Sequence, residues 1–310
     1  MKVYKISDKN LIETSFESSI EDNKEKYWII INPEELQKNN KLFKFNHQTI
    51  FDCMHNEDTP KIEIYKDYDF GIVNIIGYKQ NYFKVSELDF YITKKYLIFV
   101  CKNDLKMFKE IEDDVITKGT LSISFEKILY NLIDKLTIND FKVLSNLEIE
   151  ISNVEEDVIQ GKTKDYVSDI LSLKNRLLFL KKHYEPLLDI VEDLTENQNH
   201  LLDENSIAYF TILLNRIERL NRKVGNLRDY ITQVRESYQS QLDINLNNIM
   251  RLFTVITLIF SPLTLIVGWY GMNFVHMPEL KWAYGYMFVT ILCISVVIIC
   301  IIFFKKKKLM

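Results

Sequence analysis

The pattern of apolar and polar positions changes character twice along the chain. Up to about residue 120 the apolar residues alternate or cluster in short β-branched runs. Lys26–Ile31, Lys61–Tyr65, Asp69–Gly77, Val85–Thr93 and Tyr96–Val100 read as strands, with a helix over Asn46–Met54 between the first two. From Phe125 the spacing shifts to threes and fours. Phe125–Val158 predicts a helical pair and Tyr166–Leu194 a further helix, with Pro186 as a kink point. The polar stretch Thr195–Asn205 then reads as the tip of an antiparallel helical hairpin. Glu204–Asn248 follows with no proline and one glycine, Gly225. Its apolar positions, Leu213, Ile217, Leu220, Val224, Leu227, Ile231, Val234 and Tyr238, alternate by four and three, which predicts a bundle-forming helix roughly 65 Å long. Continued strictly, that seam passes Asn245 and Asn248.

The second change comes at Leu252. Leu252–Tyr270 and Ala283–Phe304 carry no charge, and each is long enough to cross roughly 30 Å of hydrocarbon. The alternative, a pair of buried core helices, is hard to accommodate in 310 residues. Arg251 precedes the first run and Lys305–Lys308 follow the second, whereas the loop between them, GMNFVHMPELKW, has one acid and one lysine. The positive-inside rule places both termini in the cytoplasm and the loop outside. Trp269, Tyr270, Trp282, Tyr284 and Tyr286 gather at the outer side as an aromatic belt. The fold class expected is an α+β cytoplasmic domain followed by a long α-helical stalk and two transmembrane helices. Its divisions are 1–120 (α/β domain), 121–203 (helical region), 204–251 (stalk), 252–270 (first span), 271–282 (outer loop), 283–304 (second span) and 305–310 (basic tail).

Composition removes several function classes. The N-terminus lacks the apolar core of a signal peptide, so insertion is expected from the C-terminal runs. Net charge is −4 with acids and bases interleaved, which gives nucleic-acid binding no support. Four cysteines form no CxxC pair and no disulfide framework. Cys53 and His55 have no second pair nearby, so they read as a core cysteine and a surface histidine. No P-loop, dinucleotide fingerprint, HExxH or Ser/His/Asp grouping appears, and the chain is not expected to be an enzyme.

Candidate chemistry lies on the first span. Asn247, Met250, Thr254, Thr257, Ser261, Thr264, Gly268 and Gly271 follow one another by threes and fours, which puts them on one helix face. All but Met250 are polar or glycine, and none is charged. The other side, Leu252, Val255, Ile256, Ile259, Leu263 and Ile266, is apolar. Two readings fit: helix packing through small hydroxyls, or a hydrated lumen built from several copies of the helix. Two spans cannot enclose a pore, so the second reading requires an oligomer. Immediately after the run, WYGMNF places a glycine and an asparagine at the end of the helix, where an amide is costly to leave unpaired.

The YGMNF motif resembles that of the CorA family of magnesium transporters. So do Asn247–Thr254 (NNIMRLFT), Ser261–Thr264 (SPLT), Met277–Trp282 (MPELKW) and the terminal lysines; His47–Asp52 and Pro60–Tyr65 match more weakly. The resemblance spans most of the chain. It implies a CorA-like funnel-shaped homopentamer in the cell inner or plasma membrane, with the first span lining a pore. The pore-lining positions would be Asn247, Met250, Thr254, Thr257, Ser261, Thr264 and Gly268. Gly271, Met272 and Asn273 would form the outer selectivity mouth, with Glu279 adding negative potential. An apolar gate would fall at Met250 and Phe253, where the family usually pairs Met with Leu. Uptake of Mg2+ would be driven by the membrane potential and closed by cytoplasmic Mg2+ on acids. The candidates for that sensing are Asp229, Glu236 and Asp243 in the stalk, with Glu87 and Asp89 in the N-terminal domain; Glu236, placed beside the seam, stands first. Co2+, Ni2+ or Zn2+ are alternative cargoes, with His276 a softer contact. A non-conducting membrane-tethered structural or sensory protein is the alternative of another class.

Overall fold

A computed structural model describes residues 1–7, 10–22, 25–55, 59–79, 82–102, 110–111, 123–162, 164–272, 277 and 282–307. The chain divides into two compact units. One comprises Met1–Val154 with Asp165–Thr232, the other Glu155–Lys164 with Gln233–Met310.

The first unit opens with a mixed seven-stranded sheet. In chain order the elements are β1 (Lys2–Ile6), β2 (Leu11–Glu13), α1 (Phe16–Glu21), β3 (Lys26–Ile31), α2 (Pro33–Phe43), α3 (His47–Met54), β4 (Lys61–Ile64), β5 (Tyr68–Lys79), β6 (Tyr82–Thr93) and β7 (Tyr96–Val100). The strand order is β2-β1-β3-β7-β6-β5-β4, and only β3 and β7 run parallel. Residues of β3 and β7, including Trp28, Ile29 and Ile98, are fully buried, as parallel neighbours in a mixed sheet generally are. One core packs Leu36, Phe45, Ile50 and Cys53 with the sheet residues Phe70, Ile72, Tyr91 and Ile98. Gly71 pairs across the ladder with Phe90, whose ring occupies the space a Cβ at Gly71 would need.

Four elements beyond the sequence reading appear here: β1, β2, α1 and α2. Helix α2 buries only Pro33 and Leu36, too few apolar positions to announce a period. Its signal is local chemistry instead. Asn32 accepts from the Glu35 N–H at 2.8 Å, Glu35 accepts from the Asn32 N–H at 3.2 Å, and Pro33 fills the first turn.

Helices follow: α4 (Phe125–Thr137), α5 (Asp140–Ile159), α6 (Val167–Glu196) and, after a 3-10 turn at Glu204–Ser206, α7 (Ile207–Tyr270). Pro186 lies inside α6 without ending it. That helix stops at Asn197, in the left-handed region at φ 48°, whose buried amide closes the turn by bonding both backbone groups of Leu202. The seam of α7 is buried from Leu213 to Val234. Ties to neighbouring helices border it: Arg216 to Asp134 on α4, and Lys223 to Glu148 on α5 at 2.9 Å. Burial then ends. Tyr238 is half-buried, while Asn245 and Asn248 are exposed, so the seam does not extend to those asparagines.

Helix α7 has 64 residues, about 96 Å, and unites the expected stalk and first span in one element. Pro262 lies within it. The last helix, α8 (Gly285–Lys306), begins two residues later than expected and runs two further. In the most apolar stretch of each of these two helices, only 6% of the residues are buried. Core helices of a water-soluble protein are mostly buried, so these two helices are candidate membrane spans by length, composition and exposure.

Candidate functional site

Within the second unit, two side chains of the apolar runs are buried, Val255 on α7 and Phe304 on α8. Partly covered positions extend from them in stripes: Ile259, Pro262, Leu263, Ile266 and Tyr270 on α7, and Val289, Leu292, Cys293, Val296, Val297 and Cys300 on α8. Both stripes step by threes and fours, the spacing of two antiparallel helices packed along one face.

The polar stripe lies elsewhere. Thr257 is two residues from Val255 and from Ile259, and Ser261 and Thr264 stand two residues from Ile259 and Ile266. Two residues on a helix are about 200° of rotation. Thr254, Thr257, Ser261, Thr264, Gly268 and Gly271 therefore face almost directly away from the stripe that is covered, and all are exposed. Asn247 and Met250 continue the same line and are exposed as well; Phe253 stands on its flank, 60% exposed.

Three hydroxyls on this face are oriented. Thr254 donates to the Met250 carbonyl at 2.8 Å, Thr257 to Phe253 at 2.9 Å and Thr264 to Phe260 at 2.9 Å. Each proton is committed to the helix's own backbone, so each oxygen keeps its lone pairs for the outside. A face of acceptors without charge suits the protons of a cation's water shell, and it holds no ion tightly enough to trap it.

The helix ends at the glycine. Gly271 N–H donates to Val267 O at 2.9 Å and Met272 N–H to Trp269 O at 3.3 Å. A Cβ at Gly271 would lie 2.9 Å from Val267 O. The glycine is thus required by its own helix end, a reason different from close approach between helices. Gly268, by contrast, has open space where a Cβ would go. Asn273, Glu279 and His276 lie outside the described residues, so the outer mouth is represented here by Gly271 and Met272.

The expected sensing acids fall in two places. Asp229, Glu236 and Asp243 are all exposed on α7. They are seven residues apart, and one further heptad reaches Met250. Two residues separate Glu236 from Val234, so Glu236 lies on the side away from the buried seam, instead of beside it. The acids form one column that leads into the polar stripe, a regularity legible in the seven-residue spacing and missed when each acid is taken singly. Glu87 and Asp89 belong to β6. Asp89 is buried beside Cys53 and Tyr91, whose S and O atoms are 3.5 Å apart. Burial, then the charge of Glu87, pushes the Asp89 carboxyl up to about 7. Among the described residues, no three His, Cys, Asp or Glu side chains are grouped to hold a metal ion.

In sequence and fold the chain is similar to known proteins. The family model described as CorA-like Mg2+ transporter protein matches residues 23–307. The cobalt/magnesium transport protein CorA of Thermotoga maritima is 29% identical over 283 residues, covering 88% of this chain and 79% of its own. The magnesium transport protein CorA of Helicobacter pylori is 24% identical over 296 residues, covering 93% and 92%. The complete structure of the CorA magnesium transporter from Methanocaldococcus jannaschii superposes with a TM-score of 0.81 at 20% identity, covering 98% of this chain and 97% of that one. With both apolar helices, the acceptor face and the YGMNF helix end lying inside the matched region, the chain belongs to the CorA family of divalent-metal transporters.

Proposed function

We propose that this protein conducts hydrated Mg2+ through a pore lined by the polar face of α7 in a homopentamer embedded in the cell membrane. The observation that carries the reading is the angular one: the acceptor face of α7 points away from the stripe packed in its own hairpin. A face left bare by its own chain, and bearing oxygen acceptors, needs copies of itself and water to cover it.

Magnesium releases its waters reluctantly, so an ion that keeps them needs acceptors for water protons more than direct ligands. Thr254, Thr257, Ser261 and Thr264 supply these. Asn273 carbonyls from five copies would ring the outer mouth, with Glu279 drawing cations towards it. At the other end Met250 and Phe253 form an apolar neck that conducts only when wetted. The column Asp229, Glu236 and Asp243 collects cations below it. Cytoplasmic Mg2+ bridging such acids between copies would favour a closed state by differential affinity. Both termini lie in the cytoplasm, and an inside-negative potential favours entry of a divalent ion by about 4.6 kcal/mol per 100 mV.

Cobalt is the second cargo, since the Thermotoga relative is a cobalt/magnesium transport protein by name; nickel and zinc rank behind it. The test is Mg2+ entry into proteoliposomes holding a trapped magnesium dye under an applied potential, with Asn273→Ala beside the wild type. Potential-dependent entry that the variant loses supports the pore and its mouth. A folded pentamer that passes none of Mg2+, Co2+, Ni2+ and Zn2+ sinks the reading and leaves a tether.

A further inference from the structure

The first unit holds a second site with different chemistry. The turn joining β4 to β5 and the turn joining β6 to β7 lie side by side, because Tyr68 pairs with Thr93 across the β5–β6 ladder. Each turn is tied down. Tyr65 N–H donates to Tyr68 O at 2.9 Å, and Thr93 Oγ1 accepts from the N–H groups of Lys95 and Tyr96 at 3.2 and 2.7 Å. The end of α2 arrives at the same place. Lys44 caps that helix in the left-handed region at φ 57°, and the Asn40 side chain bonds both backbone groups of Phe45, reversing the chain sharply. Phe45 is thereby driven into the core while Lys44 stays outside.

These three segments, together with Asn199 and Leu201 of the turn between α6 and α7, line a cavity of about 490 Å³, to which Lys44, Lys66, Lys94 and Lys95 all contribute, against the single carboxylate of Asp67. Lys95 is anchored, its ammonium 3.3 Å from Ile20 O and over the Tyr96 ring. Lys44, Lys66 and Lys94 are exposed and make no ion pair among the described residues. The wall below them is aromatic. Phe43 and Tyr96 are half-buried and meet edge to face at 5.7 Å, and Phe43 stacks on Phe45.

We infer that this cavity binds a nucleotide, a planar ring carrying a polyphosphate. Four ammonium groups on fixed turns offer point charges for phosphate oxygens. An aromatic and apolar wall suits a base and does nothing for a bare anion. The volume lies within the range of roughly 300–1,000 Å³ that small-molecule sites occupy. The ion pathway uses none of these residues.

Calorimetric titration of the full-length protein in detergent, with divalent cations chelated, tests the assignment using ATP and, in a parallel arm, inorganic tripolyphosphate. ATP is expected to bind in the sub-millimolar range, more weakly at high salt, and more tightly than tripolyphosphate. Lys66→Gln with Lys94→Gln, both on exposed turn tips, is expected to weaken ATP at least about tenfold while leaving the melting temperature unchanged. Absent ATP binding, an affinity that the double substitution does not move, or tripolyphosphate binding as tightly as ATP would each overturn the nucleotide assignment.

Discussion

Thr257→Val separates a lumen-facing hydroxyl from a packing hydroxyl. Thr257 Oγ1 donates to Phe253 O at 2.9 Å, and that carbonyl keeps its helical backbone partner when the hydroxyl goes. Valine has the same branched shape, and the position is exposed in the single chain, so the fold should change by less than about 0.5 kcal/mol. What disappears is an oxygen acceptor on the bare face of α7. A net hydrogen bond is worth about 0.5–1.5 kcal/mol. An ion whose water shell engages two such oxygens in neighbouring copies then meets a barrier higher by about 1–3 kcal/mol, or roughly 5- to 150-fold slower flux. The assay is initial Mg2+ entry into proteoliposomes, normalised to the reconstituted oligomer. Ile266→Val, which trims the partly covered side of the same helix, is the control and should leave flux unchanged. Wild-type flux in Thr257→Val, or a larger loss in Ile266→Val, would refute the orientation argued from burial and rotation.

Gly271→Ala places a methyl 2.9 Å from the Val267 carbonyl, so the helix end must shift. A local cost of about 1–3 kcal/mol is expected, read as reduced uptake with the oligomer intact in size-exclusion chromatography. Leu220→Ala, at a fully buried seam position, should lower unfolding stability by about 2–5 kcal/mol in a denaturant titration. Leu246→Ala on the exposed part of the same helix should fall within about 0.5 kcal/mol of wild type. Asp89 has a folded-state pKa of about 7, raised from 3.8, so between those values the folded chain holds a proton that the unfolded chain has released. Its contribution is therefore favourable at low pH and is lost as pH rises through 7, to a penalty on the order of 4 kcal/mol above that. Asp89→Asn should accordingly raise the melting temperature at pH 8, with the gain shrinking towards pH 4; an equal gain at both would contradict it.

Much of the architecture was legible in the sequence, for physical reasons. The two uncharged runs state their own length, and a hydrocarbon layer admits few other structures. The four-three alternation from Leu213 predicts the buried seam because helical rotation alone brings those side chains to one side. The polar stripe is likewise a matter of rotation, and YGMNF marks the helix end by residue type. Helix α2 was hidden because it buries so little, although Asn32, Pro33 and Glu35 carried its start in plain chemistry. Other features depend on contacts between distant segments. Which side of α7 is covered cannot be read from α7 itself, since both its sides avoid charge; the burial of Val255 and of the partly covered line that runs on from it decides it. Rotation set the side on which Glu236 lies, but only the observed burial of the seam turned that side into an open one. The surroundings of Asp89 required β6 to pack against α3. The lysine-lined cavity required two hairpin turns, the end of α2 and the turn between α6 and α7, far apart in the chain, to meet in one place. Periodicity belongs to the sequence because it concerns one element at a time. Juxtaposition belongs to the tertiary structure because it is settled by which surfaces exclude water together.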